Sequence, residues 1–265
     1  MAERGRIRIG IGGWTYAPWR GVFYPDDLTQ KRELEYASRA LSSIEVNGTY
    51  YRSQKPDTFR KWRDETPEDF VFALKGPRYA TNRKVLAEAG DSVARFIDSG
   101  VTLLGARLGP INWQFMATKT FEAEDFEAFL ELLPGEADGV KLRHAVEVRH
   151  ESFCIPAFVA LARKYGVAVV TAADSDFPQL GDQTGDFAYL RLMGTQAGHK
   201  AGYPSRDLDS WSERLAALAA GDAPDGLRTV SEPGSPGRRD VFAYFISGEK
   251  VLNPLAAKAL MARTG

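Results

Sequence analysis

The chain has 265 residues, 44% hydrophobic and 26% charged, which gives enough apolar mass for a sizeable core and excludes a disordered or fibrous class. A formal net charge of -1 excludes a global field that would draw the protein onto nucleic acid or an acidic membrane, so any such affinity needs a local patch. Cys154 is the only cysteine, "MAERGRIRIG" lacks the apolar stretch of a secretory signal, and no run nears the roughly 20 apolar residues of a membrane span, so a cytoplasmic protein with no disulfide and no membrane partner is expected.

From one end to the other, short apolar and often β-branched runs alternate with amphipathic stretches, the pattern of parallel strands joined by helical crossovers. "RIRIGIGG" (6–13) opens the series, and an aromatic loop, "GGWTYAPWRGVFYP" (12–25), follows it. "TQKRELEYASRAL" (29–41) puts Leu34, Ala37 and Leu41 on one helical face. "SIEVN" (43–47) and "FVFALK" (70–75) read as the next strands, then "GARLGPINWQF" (105–115), kinked at Pro110. "FEAEDFEAFLELL" repeats Phe and Leu at helical spacing until Pro134 ends it. "HAVEVRH" (144–150), the helix "PAFVALARKYG" ending at Gly166, and "VAVVTAAD" (167–174) come next. "SDFPQLGDQTGD" is too short and too rich in Gly and Pro for a crossover helix. "FAYLRLMG" (187–194), a helix from Ser205 as cap to Gly221, a Pro/Gly-rich stretch (223–240) read as a mobile loop, and "VFAYFIS" (241–247) complete the chain. Eight strands in this length predict one domain over 1–265, a TIM-like (β/α)8 barrel of about 250 residues with a degenerate unit between strands six and seven.

Chemistry in such a barrel sits where the strands end, and almost every strand here delivers a polar group to that rim: Glu45 and Asn47, Lys75, Gln114, then Glu147, Arg149 and His150, then Asp174 and Arg191. Alternation puts Glu45 with Asn47, and Glu147 with Arg149, on one face, while Val46 and Val148 point toward the helices. A buried carboxylate needs a cationic or hydrogen-bonding partner; Lys75, Arg149 and Arg191 are the candidates, and Glu45 is expected to face Lys75 or Arg149. A salt-bridged layer that only closes the barrel top is the competing reading, weakened by the poor return of ion pairs buried for stability alone.

Two carboxylates at one rim suggest acid/base work by Glu45 and Glu147, with His150 as a further acid or base. Trp14 and Tyr16 are read as pocket walls, Trp19 and Phe23 as a plug. "KGPRYATNRK" (75–84) carries four basic residues and no acidic one, and together with Arg52 and Tyr51 tilts the mouth toward an anionic ligand. Three histidines and no CxxC argue against a zinc site, so no cofactor is expected; Mg2+ on Glu45, Glu147 and Asp174 is the weaker alternative.

"IGIGGWTYAPWRGVFYP", "LEYASRALSSIEVNGTYYR", "TPEDFVFALKGPRYAT", "AVEVRHESF" and "DFAYLRLMG" together resemble the DUF72, or YecE-like, family over residues 7–247. The resemblance implies a TIM-like barrel and leaves the reaction open. It marks Glu45, Asn47, Tyr51, Arg52, Lys75, Arg78, Gln114, Glu147, Arg149, His150 and Arg191 as the positions that match the family's recurrent polar residues. Three departures stand out: Gly48 where the family often has Ser, "INWQFMATKTF" in place of a "FQLPP"-like stretch, and Ile246 and Ser247 in place of two amides. The leading expectation is a barrel-mouth enzyme, hydrolase- or isomerase-like, acting on a phosphate- or sugar-containing polar ligand. A metal-dependent nuclease or DNA-binding protein, and a non-catalytic binding scaffold, are the alternatives; oligomeric state is not legible.

Overall fold

The computed structural model describes residues 5–234 and 237–264, so the chain's first four residues, its last, and residues 235–236 of the 223–240 stretch lie outside the described residues. Eight parallel strands pair in chain order and close on themselves: β1 (Ile7–Gly12), β2 (Ser43–Val46), β3 (Val71–Lys75), β4 (Leu108–Gln114), β5 (His144–Glu147), β6 (Ala168–Ala173), β7 (Phe187–Leu192) and β8 (Asp240–Phe245). Each matches an expected strand. Helices α1 (Glu33–Ala40), α2 (Pro56–Asp64), α3 (Gly90–Ile97), α4 (Ala123–Glu131), α5 (Pro156–Lys164), α6 (Ser205–Ala220) and α7 (Asn253–Thr264) clothe the outside. Pro204, not Ser205, is the N-cap of α6, and Ser205 Oγ instead receives a hydrogen bond from Arg263.

Strand alternation divides the core in two. Ile44, Val46, Leu74, Trp113, Val146, Val148 and Leu190 face outward into the large apolar layer beneath the helices. Val71, Ala73, Ala145, Val170, Ala172, Phe187, Tyr189, Phe242 and Tyr244 form a separate cluster inside the barrel. Several interior positions are small, and that leaves volume for Tyr189, Tyr244 and Arg191, all buried. Tyr244 donates to Ser43 Oγ at 2.8 Å, and Ser43 passes its own proton to the Val71 carbonyl at 2.7 Å, so even the phenol is satisfied.

β4 needs a correction of phase to join this pattern. Phe72 pairs with Leu108 but Leu74 pairs with Ile111, so one extra residue bulges out at Gly109–Pro110. That bulge turns Asn112 and Gln114 inward and leaves Ile111 and Trp113 outward. Gly109 makes it sterically feasible, because a Cβ there would lie 2.5 Å from Val71 Cγ1 and 2.8 Å from the Phe72 carbonyl oxygen.

The sixth unit has no helix, as expected, but its crossover is ordered. After β6 the chain returns in extended form along that strand's outer face: Thr171 donates to the Leu180 carbonyl, while Thr184 Oγ1 accepts from the Val169 amide and donates to the Val167 carbonyl. The described part of the 223–240 stretch covers it and is not the free loop that its composition suggested. Gly181 donates to the Arg228 carbonyl at 2.7 Å, buried Asp182 accepts from the amides of Val230 and Ser231, and Arg228 reaches Glu151 at 3.3 Å. Leu227 and Val230 pack against the core beside fully buried Leu180. The segment occupies the flank that a sixth helix would fill.

Gly109→Ala is expected to lose about 1–3 kcal/mol in urea melts through crowding of the bulge, and an unchanged midpoint would show that the bulge does not depend on that close approach.

Candidate functional site

The inward residues at the C-terminal ends of β2, β3, β4, β5 and β7 meet in one cluster. Glu45 and Glu147 have no exposed surface. Between them lies Arg191, whose Nη1 donates to both carboxylate oxygens of Glu147 at 2.8 Å and whose Nη2 donates to Glu45 Oε1 at 3.2 Å. Its Nε is 3.1 Å from Glu45 Oε2 but off the hydrogen-bond direction. Tyr189 donates to that same Oε2 at 2.7 Å. Arg149 grips Glu147 Oε1 with Nε and Nη2 at 2.8 and 2.6 Å, and Asn112 Nδ2 donates to Oε2 at 3.2 Å. Glu45 thus faces the interior as expected, but its partners are Arg191 and Tyr189, not Lys75 or Arg149. The long guanidinium from β7 reaches across the barrel, past Ala172 and Tyr244 beside it on the sheet.

Lys75 sits apart from this pairing. Its Nζ donates to Gln114 Oε1 and lies 4.6 Å from the centre of the Tyr50 ring. Of the three cations in the cluster it alone makes no ion pair with a carboxylate among the described residues. Burial, reinforced by Arg191 and Arg149, depresses its pKa to about 8. For Glu147, burial would raise the pKa, but Arg191, Arg149 and Lys75 outweigh it and hold the group down to about 2. Burial opposes the charge of Arg191 too, and the two glutamates more than compensate, so its pKa is raised. Two carboxylates against three cations leave the cluster one positive charge in excess.

The rim above is basic and aromatic. Arg149 stacks on Phe177 at 4.2 Å, and exposed Arg78 lies 5.6 Å from the ring of Tyr51, which is itself exposed. Asn47 and Arg52 bracket the single helical turn Gly48–Tyr51 that carries both tyrosines, and Arg52 is exposed. Burial raises the pKa of the Tyr50 phenol, which feels Arg149, Arg78 and Glu147. Ile246 points into the same interior cluster, whereas Ser247 takes a left-handed turn and gives its carbonyl to Thr195.

Four sequence candidates lie elsewhere. Trp14 packs edge-on against Trp62 at 5.3 Å and Phe72 at 6.3 Å, in the layer between strands and helices. Tyr16 packs on Trp19 beneath Lys250 Nζ, beyond β8, while Trp19 and Phe23 are buried as a plug should be. Asp174 adopts a positive φ and turns its carboxylate to Tyr203 and Trp211, at 2.9 and 3.1 Å. His150 caps the turn after β5, with Nδ1 held by Ser152 at 2.9 Å. The Mg2+ trio of Glu45, Glu147 and Asp174 therefore does not converge: Asp174 is turned away and Arg191 fills the space between the glutamates. No group of three His, Cys, Asp or Glu among the described residues is arranged to hold a metal.

Sequence reasoning missed Asn112, Tyr189, Tyr50 and Phe177. Tyr189 lies two residues before Arg191, so alternation alone would have put it on the same inward face. Asn112 likewise lies two residues before Gln114, past the bulge, so the same alternation would have placed it.

A closed parallel (β/α)8-type barrel with buried, mutually neutralised Glu and Arg residues at its mouth and one unpaired lysine beside them defines the class of the molecule. Within that class the chain belongs to the family described as "Protein of unknown function DUF72", whose model matches residues 8–265. It is 31% identical over 150 residues to the UPF0759 protein YecE of Escherichia coli strain K12, a match covering 56% of this chain and 50% of that protein. The chain thus spans about half the length of the curated relatives it matches. A DUF72 family protein from Thermotoga maritima superposes with a TM-score of 0.72 at 22% identity over 97% of both chains. One from Enterococcus faecalis gives 0.73 at 15% identity over 97% of this chain and 95% of that one. These likenesses establish the fold. Among the described residues no helix is long and apolar enough to cross a membrane.

Glu147→Gln is expected to cost about 3–5 kcal/mol in urea melts, because it takes one of the two carboxylate partners from buried Arg191 and the only carboxylate that part-exposed Arg149 grips among the described residues; a loss below about 1 kcal/mol would mean that water already reaches the pair. Lys75 gives a pH signature. Its folded pKa is below the unfolded value, so the unfolded chain binds more protons between about pH 8 and 10.5 and stability rises across that window. Wild type should gain roughly 3 kcal/mol relative to Lys75→Met between about pH 7.5 and 10.5, whereas parallel pH curves would show that the buried ammonium carries no penalty.

Proposed function

We propose that the barrel mouth is the active site of an enzyme acting on a small anionic, phosphate- or sugar-containing ligand. The observation that carries this reading is Lys75, a buried cation with no carboxylate partner, beside Arg149 in a cluster with an excess positive charge. An anion entering there meets unspent positive charge in a site of low dielectric, where it counts for most. Exposed Arg78 and Arg52 supply the outer field that draws it in.

The division of labour within the site follows from the pairings. Glu147, held at about 2 by its cations, is a poor base near neutrality, and Glu45 is committed to Arg191 and Tyr189. Both glutamates then act as anchors that fix Arg191 and Arg149. Proton transfer passes to Lys75, whose pKa of about 8 suits a group that both gives and takes a proton near neutral pH. His150, tied to Ser152, orients the turn after β5 and is a secondary candidate.

Thermal melts with inorganic phosphate, ribose 5-phosphate and the neutral sugar test the reading. At about 100 times its Kd, a phosphate-bearing ligand should raise Tm by roughly 5–10 °C, from about 2.7 kcal/mol of linkage. The rise should shrink sharply in Arg149→Met and in Lys75→Met. No shift with any anion would reject the anionic site, and an equal shift with the neutral sugar would reject its charge selectivity.

A further inference from the structure

We propose that Lys75 is an imine-forming nucleophile for a small aldehyde or ketone that carries an anionic group. The inference rests on the anionic-ligand reading of the same mouth and adds the reacting bond. Lys75 stands at the last position of β3, nearly buried and next to Arg191 and Arg149 in the cluster's field. Desolvation and neighbouring positive charge are the two conditions that raise the fraction of a lysine present as free amine near neutral pH. No carboxylate is paired with it to pin the ammonium, and its hydrogen-bond partner, Gln114 Oε1, is neutral. A free amine keeps that bond with one N–H and turns its lone pair elsewhere. The partly exposed Tyr50 ring packs against Nζ at 4.6 Å, on the side of the rim turn Gly48–Tyr51.

A second observation points to a ligand at the same place. Asn112, the ladder partner of Lys75, is fully buried and uses Nδ2 on Glu147, while its Oδ1 has no donor among the described residues. A buried acceptor left empty is costly, and the site therefore wants a hydroxyl or N–H from something it binds. The reaction supplies one. The Nζ lone pair attacks the carbonyl carbon, the C=O π pair moves to oxygen, and the proton lost from nitrogen appears on that oxygen, giving a carbinolamine whose hydroxyl Asn112 Oδ1 accepts. Expulsion of that hydroxyl with one further proton releases water and leaves the C=N bond. Arg149 and Arg78 hold the ligand's anionic group at the rim.

Wild-type protein treated at neutral pH with glycolaldehyde phosphate and sodium cyanoborohydride, then digested and mapped by mass, tests this. The reductant delivers hydride to the imine carbon and fixes it as a secondary amine. Lys75 should be labelled at least tenfold faster than any other lysine, faster with glycolaldehyde phosphate than with glycolaldehyde, and the fast-labelled fraction should vanish in Lys75→Met. Labelling spread evenly over the lysines, or absent from Lys75, would overturn the proposal, and the wild-type map decides this even if the variant fails to fold. Stabilisation by inorganic phosphate without label on Lys75 would overturn the imine alone; loss of both would overturn the anionic site as well.

Discussion

Two carboxylates with no access to water sit inside this barrel, and Arg191 is what makes that tolerable. An ion buried without a partner costs several kcal/mol, and a lone Glu in such a place would take up a proton rather than stay charged. The guanidinium contacts both glutamates at once, from a strand on the far side of the sheet, and Tyr189, Asn112 and Arg149 take up the remaining oxygen positions. The fork geometry matters: Nη1 and Nη2 diverge from one rigid plane, so a single side chain reaches both carboxylates with little rotational freedom to lose. With the negative charges spoken for, Lys75 is left with no carboxylate partner among the described residues.

The barrel is arranged to bring these residues to one level. β2, β5 and β7 supply Glu45, Glu147 and Arg191 from non-adjacent staves, so the cluster exists only when the sheet is closed and in register. Small interior residues on β3, β5 and β6 leave room for the long side chains, and the bulge at Gly109–Pro110 brings β4 into phase so that Asn112 and Gln114 join from the inner face. The larger apolar layer lies on the other side of the strands, with a smaller cluster deeper inside the barrel. Stability and chemistry are thereby separated by the strand itself, with alternate residues assigned to each.

Much of this was legible in the sequence. The β-branched runs fixed eight strands, and alternation around Val46 and Val148 correctly turned Glu45, Glu147 and Arg149 inward, because period two is a local property. The partner of Glu45 was not legible, since it depends on which staves face each other across the closed barrel and how far a guanidinium reaches. Asp174 misled because the strand ends one residue before it, and a left-handed turn breaks the alternation that the reading assumed. Trp14 misled for another reason: an aromatic in a loop after a strand can line a mouth or pack behind the sheet, and here it packs on Trp62 and Phe72. The Pro/Gly-rich stretch was read as free because such composition signals a lack of regular hydrogen bonding; it says nothing about contacts made through Asp182, Leu227 and Val230.

That stretch gives the barrel an unusual seam. A connection leading into β8 closes the wall behind β6, two staves back, so residues 227–231, which form no helix, do the work of one. A protease cut in an ordinary connection leaves the neighbouring walls intact. Here the same cut would free the segment that holds Gly181 and Asp182 and packs Leu227 and Val230 on the core, opening the flank of a unit to which the severed segment does not belong. The weak point of the barrel and its repair are thus far apart in sequence, and the last quarter of the chain must be in hand before the sixth wall can be sealed.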